Sequence, residues 1–286
     1  MTTTLPDAHE LDAFDYTSLP PSTQPYEGGD PQQSLRDVRA VIEHAIVHHP
    51  RSLQKRIGPS EIGTPCDHCL AAKLAGWSQT DDGVPWLPTI GTAVHAWCEE
   101  QFIAHEVRRN ALHTTGRRWL TEQKVTVGRI GGVDIAGSTD LLDTVTGVVI
   151  DFKIVGPSTL RKAKSGPSEV YRTQADLYAK GWNDAGYRID HVAIAYLPRN
   201  AASLDHAVWW SAPHDRSRAE AALDRANRLH ANLTALASIS DAARDAWITQ
   251  LPRADGCWDC ARYPDGHGLT KPGHRPPADT LAGLIP

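Results

Sequence analysis

The sequence lacks the marks of several protein classes. No apolar run reaches the ~18–20 residues that a membrane-crossing helix needs. The N-terminus has no basic-then-apolar layout of a secretory signal, so the expectation is a cytoplasmic chain without a membrane partner. Positive charge is not in excess: 29 Lys and Arg against 34 Asp and Glu leave a net charge of −5. That balance excludes binding of a polyanion by bulk charge alone, so any such site must be local. Gly at 22 and Pro at 20 in 286 residues fall far short of the ~25–30% that marks low-complexity chains. There is no phosphate-binding G-x-x-x-x-G-K-[ST] motif and no internal repeat. Cysteine is sparse, with five in the chain, which in a reducing compartment argues against a disulfide framework.

What remains, 41% hydrophobic and 22% charged, is the composition of an ordinary globular protein, either one large domain or a core with appendages. The cysteines are sparse but not scattered. Four form two C-x-x-C pairs, Cys66/Cys69 and Cys257/Cys260, near opposite ends of the chain. Residues 1–35 have little periodicity and read as a flexible arm. An N-terminal helical segment with the first cysteine pair (36–90), a core (91–250) and a C-terminal segment with the second pair and an extended tail (251–286) complete the expected layout. Helical spacing appears over 35–49, 91–109, 169–185 and 216–237, with Val94, Trp97, Cys98, Phe102 and Ile103 on one face of the second of these. Strand patterns mark 124–127, 133–136, 148–155, 191–197 and 206–211. The fold class is therefore α/β, a mixed central sheet flanked by helices.

The run Val148–Val155 is apolar apart from Asp151 and Lys153, and a run of that kind suits a central strand, where burying charge is costly. Period two puts Asp151 and Lys153 on one side and Phe152 on the other. A carboxylate that binds a hard divalent ion beside an ammonium that holds water makes a hydrolytic pair, although D-x-K by itself equally describes an edge-strand ion pair. Asp140 precedes by one hairpin and can face Asp151, or be a solvated turn residue as Asp134 and Asp143 are taken to be. His95, near the start of the 91–109 helix, can add a nitrogen ligand or be structural. Gln174 and Tyr178, at i and i+4, share a helix face and can brace the lysine or hold a phosphate. Cys98 sits among apolar neighbours and reads as core. Basic residues gather at Arg161, Lys162 and Lys164, directly after the candidate strand, and at Arg51, Lys55 and Arg56. Trp77 and Trp86, in the loop before the 91–109 helix, can pack into the core, as most of the nine tryptophans are expected to, or stack on bases.

In this order and spacing, Gly91-Thr92-Ala93-Val94-His95, Gly137-Ser138-Thr139-Asp140, Val149-Ile150-Asp151-Phe152-Lys153 and Gln174-Ala175-Asp176-Leu177-Tyr178 resemble the RecB-like branch of the PD-(D/E)XK nuclease superfamily. Glu122 falls where that branch often carries an acidic residue. The resemblance implies a restriction-endonuclease-like core and a DNA nuclease dependent on Mg²⁺ or Mn²⁺, in a bacterial or phage-infected cytoplasm. Its metal ligands would be His95, Asp140, Asp151 and the Phe152 carbonyl. Lys153 would activate water, Gln174 and Tyr178 would contact DNA or brace the site, and Arg161, Lys162 and Lys164 would meet phosphates. An exonuclease acting on DNA ends or single strands, in recombination, repair or phage replication, is the expected activity. The alternatives are an endonuclease on the same core and a non-catalytic DNA-binding or assembly module.

The two C-x-x-C pairs point to one four-thiolate site. Within the RecB-like branch the chain is similar to the iron–sulfur-containing CRISPR-associated and phage exonuclease group, which implies a [4Fe–4S] cluster on Cys66, Cys69, Cys257 and Cys260 joining the N- and C-terminal segments. That group usually has one cysteine before the core and three after. Here the division is two and two, which keeps structural Zn²⁺ open.

Overall fold

The run Val148–Val155 forms the middle strand of a five-stranded sheet, so Asp151 and Lys153 are not an edge pair. The computed structural model describes residues 30–49, 57–80, 83–110 and 116–266. Arg51, Lys55 and Arg56 lie outside the described residues, as do residues 1–29 of the expected arm and 267–286 of the expected tail. The chain divides into two units, Met1–Ala45 and Ile46–Pro286. Helix α1 (Pro31–His48), most of it in the first unit, starts four residues before the periodicity predicts. The reason is local: Asp30 accepts the Gln32 N–H at 2.9 Å, and Pro31 takes the first position, where no intrahelical N–H is needed.

The larger unit opens with the short helices α2 (Pro59–Ile62) and α3 (Asp67–Leu74), followed by the long α4 (Trp86–Asn110). Strands β1 (Trp119–Ile130), β2 (Val133–Asp143) and β3 (Val148–Val155) run as an antiparallel meander. Helices α5 (Pro157–Ala163) and α6 (Glu169–Asp184) cross over to β4 (His191–Pro198), which is parallel to β3, as a parallel pairing requires. Strand β5 (Val208–Pro213) is antiparallel to β4, and α7 (Arg216–Ala237) and α8 (Asp241–Thr249) follow. Two 3-10 turns, Leu204–His206 and Trp258–Ala261, complete the described elements.

One face of the sheet carries the main core. Val127, Ile135, Leu142, Val149 and Val192 meet Leu177 and Trp182 of α6 and Leu223 and Leu229 of α7. On the other face Cys98 of α4, with Val94 and Phe102 beside it, meets Leu141, Phe152 and Ala195. Cys98 is core, as expected. Trp97 and Ile103 are not: they are 61% and 49% exposed, because α4 presents a narrower stripe to the sheet than its apolar content implies.

Three further expectations change. Helix α4 begins at Trp86 and takes Pro88 into its first turn, where proline is tolerated. Trp77 is buried and donates its indole N–H to Asp245 at 2.9 Å, so it cannot stack on a base, whereas Trp86 is exposed. Asp143 is no solvated turn residue: it is buried and accepts Arg118 in a two-pronged contact at 3.0 and 2.7 Å. Asp134, paired with Arg129 across the exposed hairpin, is solvated as expected.

Candidate active site

The site begins with an interruption in the sheet. Towards β1, Thr121 pairs with Leu141 and Gln123 with Thr139, but Glu122 between them stands at φ 47°. Towards β3, pairing stops at Leu141 opposite Ile150. Asp140 therefore occupies a notch, with Glu122 across from it on β1 and Asp151 one step past the last pair on β3. The Asp140 carboxylate accepts the Phe152 N–H through Oδ2 at 2.7 Å, supplying an acceptor where the β2–β3 ladder has ended.

Helix α4 lays His95 over this notch. Its Nδ1 lies 3.3 Å from Asp140 Oδ1 and 3.8 Å from Glu122 Oε1, and the ring stands edge-on to Phe152 with centroids 6.1 Å apart. His95, Glu122 and Asp140 each offer one ligand atom within 4.8 Å of the others, a grouping that fits a divalent ion. Burial would lower the imidazole pKa, but the hydrogen bonds to Asp140 and Glu122 and the nearby carboxylates outweigh it and push it up to about 9.

Asp151 and Lys153 point to the opposite side of β3 from Phe152, towards α6. Lys153 Nζ is 2.7 Å from Asp151 Oδ2, 3.0 Å from Gln174 Oε1 and 4.8 Å above the Tyr171 ring. Asp151 is 2% exposed. Burial raises its carboxyl to about 6 against the opposing pull of Lys153, and Asp140 adds to the rise. Burial lowers the Lys153 ammonium, but Asp151 and Asp140 outweigh it and the net shift is upward. Tyr178, one turn after Gln174 and hydrogen-bonded to it, has its hydroxyl against β2: a Cβ on Gly137 would stand 2.7 Å from that oxygen. Burial, with Asp151 and Asp140 nearby, raises this phenol well above its usual range.

The structure thus brings His95, Asp140, Asp151, Phe152, Lys153, Gln174 and Tyr178 into one region spanning both sides of β3. The Phe152 contact it displays is the amide N–H on Asp140. Arg161, Lys162 and Lys164 are exposed on and just after α5, which follows β3 directly. Tyr171 escaped the sequence reading, although its i, i+3, i+7 relation to Gln174 and Tyr178 places all three on one helix face. Asp176, which lies within the same stretch, serves another purpose. It is buried and accepts from Asp215 N–H at 2.8 Å and Arg218 at 2.8 Å, fixing the start of α7 on α6.

The four cysteines meet at the main core, Cys66 and Cys69 buried within it and Cys257 and Cys260 packed against it. Cys66 caps α3 and Cys257 caps the Trp258–Ala261 turn, so each C-x-x-C pair straddles a helix start. Sγ–Sγ distances are 3.6 Å for Cys66–Cys260, 3.6 Å for Cys69–Cys260 and 3.8 Å for Cys69–Cys257. Burial and the adjoining thiols push Cys69 far up, while for Cys66 the neighbouring N–H groups of Ala254 and Cys69 outweigh burial and lower it. A set of thiols this close ionises fully only around a cation, and the donors suit a thiolate-bound metal. His68 also belongs to this neighbourhood, fully buried with Nδ1 3.8 Å from Cys69 Sγ.

No protein-family profile matches the sequence, and no curated protein matches it. Among solved structures, an alkaline exonuclease (LHK-Exo) from Laribacter hongkongensis is similar with a TM-score of 0.41 at 14% identity, over 68% of this chain and 94% of that chain. LHK-Exo in complex with dAMP gives a TM-score of 0.40 at 14% identity, over 68% and 94% of the two chains.

Proposed function

We propose that the chain is a metal-dependent DNA nuclease, a phosphodiester hydrolase acting on DNA ends or single strands. The observation that carries the proposal is the notch. Asp140 is flanked by Glu122 and His95, and Asp151 stands beside it, paired through Oδ2 at 2.7 Å with a buried lysine. His95, Asp140, Asp151 and the Phe152 carbonyl would hold Mg²⁺ or Mn²⁺. Such an ion supplies a nucleophile near neutral pH and relieves charge on the phosphoryl oxygens.

The chain's own groups have distinct tasks. Lys153, fixed between Asp151 Oδ2 and Gln174 Oε1 and seated on Tyr171, holds a water and stabilises negative charge developing beside it. Gln174 and Tyr178 brace that lysine and the β2 wall. Arg161, Lys162 and Lys164 contact the phosphates of the substrate strand, which lets a chain of net charge −5 hold DNA locally.

Asp151→Asn, which keeps the shape of the side chain, should abolish Mg²⁺- or Mn²⁺-dependent degradation of linear DNA and leave the circular dichroism spectrum unchanged. Equal activity in the variant and the parent would overturn the proposal. A covalently closed circle should survive the parent enzyme. Its linearisation would replace exonuclease with endonuclease.

A further inference from the structure

The two cofactors that the cysteine pairs leave open require different sulfur spacings. A single tetrahedral ion with metal–sulfur bonds of ~2.3 Å draws its four sulfurs to edges of ~3.8 Å. A [4Fe–4S] cube stands between its thiolates and holds them roughly 6 Å apart. The Sγ–Sγ separations are 3.6 Å for Cys66–Cys260 and for Cys69–Cys260 and 3.8 Å for Cys69–Cys257, and a ring nitrogen of His68 also lies within 4.8 Å of the Cys66, Cys69 and Cys260 sulfurs. Cys66 and Cys69 are buried in the main core, and Ala254, Cys257 and Cys260 are partly buried against it, so the packing holds the sulfurs at the spacing of a single ion. The cube does not fit.

We propose that Cys66, Cys69, Cys257 and Cys260 bind one tetrahedral zinc ion, with His68 outside the coordination shell as an N–H donor to Cys69 sulfur. The role of His68 follows from its neighbours. Two groups meet His68 Nε2: Arg253, which can only donate, at 3.0 Å, and Asp265 Oδ1, which can only accept, at 3.5 Å; the closer one makes Nε2 the acceptor and puts the ring proton on Nδ1, facing Cys69 Sγ at 3.8 Å. A protonated Nδ1 has no lone pair for a metal, but it offsets thiolate charge, as partners of metal ligands commonly do. Four thiolates close the coordination sphere, which marks a structural ion, and zinc is held by such a set more tightly than ferrous iron. The proposal is independent of whether the chain cuts DNA.

The test is the metal content of the full chain purified without added metal under anaerobic conditions. Zinc in one-to-one ratio with protein, no acid-labile sulfide and no visible absorption are expected. Iron with labile sulfide would overturn the single ion, and iron without sulfide would overturn zinc. Cobalt exchanged into the wild-type chain should give the intense visible bands of a tetrahedral thiolate site, and bands of an octahedral ion would count against the geometry. Cys257→Ser should lose most of its zinc while His68→Gln retains it. The reverse pattern would make His68 the fourth ligand and overturn the four-sulfur set.

Discussion

Glu122 holds a left-handed backbone, φ 47°, that side chains with a Cβ adopt at a cost of about 1 kcal/mol or more. The strain persists because the break it makes in the β1–β2 ladder frees Asp140 to turn to His95. Asn tolerates this conformation better. Glu122→Asn should therefore match or exceed the parent in thermal midpoint while weakening Mn²⁺ binding by about tenfold, checked by calorimetry on the same samples. Asp143 makes the opposite contribution. Burial raises its carboxyl, but the Arg118 guanidinium outweighs this and holds it below the usual carboxylate range. A carboxyl lowered on folding contributes stability that is complete above its unfolded value and disappears as pH falls through its folded value. Asp143→Asn should thus cost about 2–3 kcal/mol in urea titrations near neutrality and little at strongly acid pH. The sequence exposes these two residues unequally. Asp140, Asp151, Lys153, Gln174 and Tyr178 could be singled out because strand alternation and helix spacing are local rules. The burial of Asp143 is not legible, because its partner Arg118 lies on another segment, 25 residues away.

At the scale of elements, α6 decides the site because it carries Tyr171, Gln174 and Tyr178. Its distance from the sheet is set by Gly181, where a Cβ would stand 2.7 Å from the Thr126 carbonyl oxygen. A backbone atom cannot rotate away, so Gly181→Ala should push the helix outward and cost about 1–3 kcal/mol in denaturant unfolding. Activity should fall with it, since Gln174 would draw back from Lys153. The helices and strands themselves were largely legible. The strand Val148–Val155 and the helix Arg216–Ala237 have the predicted bounds, because each carries an unbroken pattern. Boundaries moved where end chemistry outweighs periodicity, as at Asp30-Pro31 and at Trp86 ahead of Pro88. The exposure of Trp97 and Ile103 was not legible, because apolar spacing on α4 does not say how wide a face β3 and β4 offer.

In the larger unit, the cysteine site ties a segment near its start to one near its end, and Lys73 adds to the tie with ion pairs to Asp259 at 3.0 Å and Glu61 at 3.3 Å. A chain ending at Gln250 loses Cys257, Asp259 and Cys260 together. Amide exchange should then accelerate first in α2 and α3, while the β3–β4 ladder stays protected; unchanged protection of residues 59–74 would show that the second pair does not hold the first. That the two pairs meet was expected from their matched spacing, but the width of the space between them was not, since sulfur separation depends on how α3 packs beside α8 and the last turn. The contacts Cys66–Cys260, Cys69–Cys257 and Cys69–Cys260 join residues 194, 188 and 191 apart. Closing a loop of that length in an unfolded chain costs about 5 kcal/mol of entropy. No short-range contact offsets that cost early, so the sulfurs should come together only after the sheet has formed. Metal uptake would then be the closing event of folding, and a chain refolded beside excess chelator should gain its strand signal at the normal rate and lack only the final, metal-dependent phase.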